Sequence, residues 1–203
     1  MFVTLEGIDG AGKSTQAKLL AERLGPETLL LREPGGTPAG ERLRELLKDG
    51  TLELGPRAEL LLFCAARSQL VEEVIRPALE SGRDVVCDRF VDSTVAYQGE
   101  ARGLGPDLVG ELNAIAVGGC MPERTLLLRV SAEWAAARTA HRRGTEPPAP
   151  RPDRFEREGL EFQERIAAAF GRIAETEPER VAVVDAEASV DEVHARVVEA
   201  LRL

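Results

Sequence analysis

Apolar residues along this chain fall into two rhythms. Short β-prone runs stand at residues 2–5, 28–31, 84–87, 125–130 and 181–184, and between them the apolar positions step by three or four, the period of a helix facing a core. Ala17, Leu19, Leu20 and Leu24 form one such stripe, closed by Gly25 and Pro26 as a stop. A long helical stretch starts after Pro56 and runs toward Leu79. Phe162, Ile166, Phe170 and Ile173 mark another core-facing helix, and a final one spans 190–201. Strands alternating with helices in this way predict an α/β fold, a five-stranded parallel sheet flanked by helices.

Composition narrows the picture. At 203 residues the chain suits one domain, over residues 1–203, with a full core. Its net charge of −9 argues against a broad nucleic-acid or anionic-membrane surface, since both need clustered positive charge. All but three of its 26 basic residues are arginine, so local basic clusters stand out. Cys64, Cys87 and Cys120 are odd in number and widely spaced, and read as reduced core cysteines of a cytoplasmic protein. The first strand begins almost at Met1, which leaves no room for a signal peptide, and no apolar run approaches membrane-spanning length. His141 and His194, the only histidines, read as surface residues, so chemistry that needs a histidine base is not expected.

The candidate chemistry centres on E-G-I-D-G-A-G-K-S-T, residues 6–15. Gly7, Gly12, Lys13 and Ser14 satisfy G-x-x-x-x-G-K-[ST], the phosphate-binding loop. Glycines let the backbone turn with its N–H groups facing a phosphate, across Ile8, Asp9, Gly10 and Ala11. Lys13 reaches the β- and γ-phosphates, and the Ser14 hydroxyl can ligate Mg²⁺. The helix that opens at Ser14 and Thr15 adds its positive dipole end to the same point. A strand before the loop and a helix after it are the required context, so a nucleoside triphosphate is the expected ligand.

Four further clusters add detail, each with a plainer alternative. Arg32-Glu33-Pro34-Gly35-Gly36-Thr37 follows the second strand, where open α/β sheets bind ligands. A simple turn would explain its Pro and Gly, but the charged pair suggests a second substrate. Phe63 and Arg67 share one helix face and could stack on a planar base and donate to its edge. Taken alone, they read more simply as a core Phe beside a surface Arg. Asp88 ends an apolar strand at the Walker-B position, with Arg89 beside it suited to an anion; a strand-end ion pair is the alternative. Lastly Arg138, Arg142, Arg143, Arg151 and Arg154 surround four prolines, a solvated charge run or a basic lid (about 141–154) that closes over a nucleotide.

Taken together, E-G-I-D-G-A-G-K-S-T, R-E-P-G-G-T, L-F-C-A-A-R, D-R-F, D-S-T-V-A-Y-Q-G and the lid's D-R-F-E resemble the thymidylate kinase family, bacterial type. The resemblance spans nearly the whole chain and implies transfer of the ATP γ-phosphoryl group to dTMP, with Mg²⁺, in a homodimer. By the same resemblance Phe63 stacks on thymine and Arg67 donates to its O4, with Thr94 and Gln98 completing the base site. Arg44 and Arg89 hold the dTMP phosphate, Asp9 lies near the 3′-hydroxyl, and Tyr97 packs near C2′. Glu33 organises the site and its metal or waters, and like Asp88 it reaches the metal directly or through water. The phosphate loop lacks the basic residue of one subgroup, so lid arginines (Arg142, Arg143, Arg154) supply that charge, with Arg138 on the ATP side. Arg129 departs from the family, which has Asp there. A GTPase is disfavoured because Asn113 is the only asparagine and no N-K-x-D exists. A P-loop kinase of another small molecule and a non-catalytic nucleotide-binding module remain the rivals.

Overall fold

The computed structural model describes residues 1–145, 154–155 and 158–203, and only the backbone of 142–145. Five strands form one sheet: β1 (Phe2–Glu6), β2 (Leu29–Arg32), β3 (Val85–Asp88), β4 (Arg124–Arg129) and β5 (Val181–Asp185). Their order is β2-β3-β1-β4-β5, and every neighbouring pair is parallel. Each strand lies within one residue of the apolar run that predicted it. β1 sits at the centre and is buried along its whole length, as a strand covered by helices on both faces must be.

The helices cover both faces. α1 (Lys13–Leu24) ends at Gly25, whose φ of 117° is open to glycine. α2 (Pro38–Lys48) starts from Thr37, whose side chain accepts a hydrogen bond from the Gly40 N–H. The long helix expected from residue 56 is present as α3 (Pro56–Leu70), a π turn (Val71–Ile75) and α4 (Arg76–Glu80). Pro77 has no N–H to bond back four residues, and the hydrogen-bond ladder widens just before it. α5 (Val91–Thr94) runs into a π-helical segment (Val95–Ala101), followed by α6 (Pro106–Val117), α7 (Ala132–Thr145), α8 (Leu160–Thr176) and α9 (Val190–Leu201).

The core divides accordingly. On one side Leu20, Ile166, Phe170 and Val197 pack with β1, β4 and β5. Phe2, Leu70, Ile75 and Phe90 fill the other side, while Leu60, Cys64, Val109 and Ala116 join α3 to α6. Phe162, Ile166 and Phe170 are buried, with Ile173 packed at the edge, as their spacing predicts. All three cysteines are free and buried. Of the two histidines, His141 is exposed and His194 is half-buried against Gln16. No helix among the described residues is long and apolar enough to cross a membrane. Most of the expected lid falls outside the described residues, including Arg151 and the side chains of Arg142 and Arg143.

Candidate active site

The phosphate loop joins the carboxyl end of β1 to α1, and its glycines are there for space. A Cβ on Gly7 would lie 2.5 Å from the Leu128 carbonyl oxygen, and one on Gly10 would lie 2.5 Å from that of Ala135. Any larger residue would push the loop off the sheet. Lys13 lies folded into the loop, its Nζ donating to the Ile8 carbonyl at 2.8 Å. Burial and the Arg89 charge push its ammonium down to about 8, against the pull of Asp9, Asp88 and Glu6. Phosphate oxygens arriving in the loop would remove that strain by supplying negative charge.

Beside Lys13, the Ser14 hydroxyl donates to Asp88 Oδ2 at the end of β3. The second Asp88 oxygen, Oδ1, is buried without a hydrogen-bond partner, and so is Glu33 Oε1 after β2. Two hard, unsatisfied carboxylate oxygens lining the same cleft as the serine hydroxyl fit Mg²⁺, which dehydrates reluctantly and would take few ligands from the protein. A cage of three or more His, Cys, Asp or Glu is absent among the described residues.

Arg89 follows Asp88 with φ of 71°, an uncommon conformation for a residue with a side chain. Glu6 accounts for its persistence. The Glu6 carboxylate is fully buried and accepts from the Phe90 N–H at 2.7 Å, the Ser93 N–H at 3.2 Å and the Ser93 hydroxyl at 2.5 Å. Burial and nearby Asp92 raise this carboxyl to about 7 despite Arg89 and those hydrogen bonds. Held by this turn, Arg89 donates to Asp9 Oδ1 at 2.6 Å, to Ser93 at 2.9 Å, to the Gly7 carbonyl at 3.2 Å and to the Tyr97 hydroxyl at 3.1 Å. Enclosure by the cleft walls would raise the half-exposed Asp9 carboxyl, but Arg89, Lys13 and the Tyr97 hydroxyl bring it down to about 2. Arg89 therefore bridges the loop and the π-helical segment at the middle of the cleft.

On the far side lies a second pocket, and Arg67 is its largest surprise. The simpler reading made it a surface residue; it is 1 % exposed. A buried guanidinium needs its donors used, and its nitrogens meet Glu33 Oε2 at 2.8 Å, Asn113 Oδ1 at 2.6 Å, Thr94 Oγ1 at 2.8 Å and the Phe90 carbonyl at 3.1 Å. Burial raises the Glu33 carboxyl, with Arg67 pulling it back. Phe63 is half-buried one turn before Arg67, and Tyr97 and Gln98 face the same space from the π-helical segment. Arg44 stands at the rim, donating to the Pro34 carbonyl at 2.9 Å. Arg32 instead pairs with Glu41 at the surface.

The phosphate loop and this pocket open into one cleft of about 1030 Å³, lined by every described site residue from Asp9 to Gln98 except Ala11. α7 closes the loop side: Arg138 stacks 4.7 Å over the Trp134 ring and comes close to Gly12. Arg154 is not among the residues around the loop. Its Nη2 donates to Glu59 Oε2 at 3.0 Å and to the Leu54 carbonyl at 3.1 Å, on the side of the second pocket. Phe155 follows it, with ring centroids 6.0 Å from Phe63 and 6.2 Å from Tyr97. Glu6, Glu59, Ser93 and Asn113 were not picked out from the sequence. Only Glu59 left a signal there, four residues before Phe63 on the same helical face.

A site that sets a phosphate-binding loop opposite a second pocket lined by an aromatic ring and a buried guanidinium, across the carboxyl ends of a parallel sheet, is that of a P-loop nucleoside monophosphate kinase. Comparison with known proteins narrows the class. The thymidylate kinase family profile matches residues 5–197. The chain is 46% identical to the thymidylate kinase of Chlorobaculum parvum, covering 100% of this chain and 95% of that one. It is 48% identical to that of Rhizorhabdus wittichii, over 98% and 96%. A crystal structure of thymidylate kinase from Ehrlichia chaffeensis superposes with a TM-score of 0.80 at 34% identity, covering 100% of this chain and 98% of that chain. The chain belongs to the thymidylate kinase family.

Proposed function

We propose that this protein transfers the γ-phosphoryl group of ATP to dTMP, giving dTDP and ADP, in the supply of dTTP. The observation that carries the reading is the buried Arg67, held by Glu33, Thr94 and Asn113 and facing the same cleft as the phosphate loop. Phosphoryl transfer asks for in-line positioning and neutralised charge rather than for a covalent intermediate. Gly7 to Thr15 cradle the triphosphate, Lys13 meets its β- and γ-oxygens, and Arg138 lies along the ATP side. Phe63 stacks on thymine, Arg67 donates to O4, and Thr94 and Gln98 complete the base site. Arg44 and Arg89 hold the dTMP phosphate, so Arg89 and Lys13 draw donor and acceptor phosphates together. Asp9 meets the 3′-hydroxyl and Tyr97 the C2′ face.

Mg²⁺ would be held by Ser14, with Asp88 and Glu33 through water, and would supply charge neutralisation between the β- and γ-phosphates. Arg142 and Arg143 belong to the basic lid, together with Arg154 once it leaves Glu59, and closing the lid excludes water as a competing acceptor. The protein acts in the cytoplasm as a homodimer without nucleic-acid or membrane partners. Exposed Leu61 on α3 and Leu108 and Ile115 on α6 support the homodimer, since these helices pack side by side.

A coupled assay with ATP and Mg²⁺ across monophosphates tests the function. The expected ranking is dTMP first, dUMP weaker because one methyl is worth roughly 1 kcal/mol, and dCMP and UMP poor. Lys13→Ala should lower kcat by at least about a hundredfold while the fold, read by circular dichroism, stays intact. Equal use of dCMP and dTMP would remove the base-site assignment; near-normal kcat in Lys13→Ala would remove the loop assignment.

A further inference from the structure

We infer that Glu59 sets the pyrimidine selectivity of this site by fixing which end of the Gln98 side-chain amide faces the base; the inference rests on the dTMP kinase reading above. Glu59 lies in α3, one turn before Phe63 and two turns before Arg67, so the three side chains share a face. It is fully buried, and a buried carboxylate needs partners. Three residues from two segments provide them. Oε1 accepts from Gln98 Nε2 at 2.8 Å and from Arg102 Nε at 3.3 Å, while Oε2 accepts from Arg154 Nη2 at 3.0 Å. Two guanidinium groups thus balance its charge, and Arg102 is itself anchored on Glu158.

A carboxylate can only accept hydrogen bonds, whereas a glutamine amide has a donor end and an acceptor end of nearly equal shape. Gln98 must give its nitrogen to Glu59, which leaves its oxygen for the cleft that it lines. Arg67 offers the opposite polarity. Its Nε and Nη2 are engaged by Glu33, Thr94 and the Phe90 carbonyl, and Nη1 holds Asn113 with one of its two N–H groups. The pocket therefore presents one donor and one acceptor on neighbouring side chains. That pair matches a pyrimidine with a carbonyl at C4 and an N–H at N3, as in thymine and uracil. Cytosine carries an amino group and a bare nitrogen at those positions and opposes both. Arg67 reads the first position, and Glu59, acting through Gln98, reads the second.

The test measures kcat/KM for dTMP and dCMP on the wild type, Glu59→Gln, Gln98→Leu and the double variant. A glutamine at position 59 both donates and accepts, so the Gln98 amide is free to turn over. The dTMP-to-dCMP ratio should then fall by about tenfold or more, chiefly through better use of dCMP. In the Gln98→Leu background, Glu59→Gln should change the ratio by less than about twofold, because no amide is left to orient. An unchanged ratio in folded Glu59→Gln, or an equal fall in the Gln98→Leu background, overturns the inference. A second measurement needs no variant at position 59. In the wild type, the Gln98 side-chain NH₂ signal, identified by its loss in Gln98→Leu, should be protected from hydrogen exchange with and without dTMP; free exchange overturns the inference. A wild type that phosphorylates neither substrate overturns the kinase reading instead, a result distinct from an active enzyme whose ratio ignores Glu59.

Discussion

At the scale of single residues, the site is made of charges kept in uncomfortable surroundings until substrates arrive. Lys13 shows this most directly, since burial and Arg89 lower its ammonium to about 8. A charge whose pKa is depressed in the free protein is lost as pH rises through that value, and nucleotide binding needs the charge. Below pH 8 the affinity for ATP should be level; above it, Kd should rise toward about tenfold for each pH unit until the bound-state pKa is reached. Calorimetric titrations from pH 6.5 to 9.5 would check this, and an affinity flat across that range would contradict the buried cation. Lys13 was legible from sequence because the phosphate loop is a local pattern. The burial of Arg67 was not, because its partners Glu33, Thr94 and Asn113 come from three other segments. A helix-face argument gives Arg67 its neighbour Phe63 but says nothing about what the tertiary fold brings opposite.

At the scale of elements, periodicity carried most of the information. Strands β1 to β5 and the ends of α9 were legible within a residue because continuous apolar runs and three-to-four stepping leave few alternatives. The π-helical segment Val95–Ala101 was not, since one extra residue per turn leaves no mark in a seven-residue stretch. That segment matters: the widened turn carries Tyr97 toward Arg89 and Gln98 toward Glu59. α8 anchors it from the far side, as Phe162 packs edge-on to Tyr97 with centroids 6.2 Å apart. One turn further along α8, Ile166 is wholly buried. Ile166→Ala should cost about 2–5 kcal/mol of stability, read by urea denaturation. It should leave KM for dTMP within about twofold, because Ile166 is not among the residues that line the cleft. A loss below about 1 kcal/mol would mean that α8 is not the packed support described here.

At the scale of the whole molecule, the strand order explains why the cleft lies where it does. β1 stands between β3 and β4, so the connections leaving β1 and β3 open at the same edge, the place where open α/β sheets bind ligands. The phosphate loop, Asp88 and Arg89 meet there without any long excursion of the chain. The parallel sheet and a site beyond its carboxyl ends followed from the alternation of strands and helices, whereas neither the strand order nor a partner surface shows in an alternation pattern. The net charge of −9 sets two copies of this protein against each other at long range, so association needs short-range apolar contact. Ile115 is 77 % exposed on α6 and Leu61 is 55 % exposed on α3. Single exposed apolar residues are ordinary, but these stand on two helices joined through Leu60, Cys64, Val109 and Ala116. α3 also carries Glu59, Phe63 and Arg67, so a partner packed on its outer face would steady from behind the pocket proposed for dTMP. Sedimentation equilibrium should find a dimer for the wild type and a shift of at least about tenfold in its dissociation constant for Ile115→Glu, since a charge buried at an interface is costly. The same variant should raise KM for dTMP at low protein concentration, with the effect fading as concentration restores the dimer. A wild type that is monomeric at all concentrations would refute this assembly and leave the active site untouched.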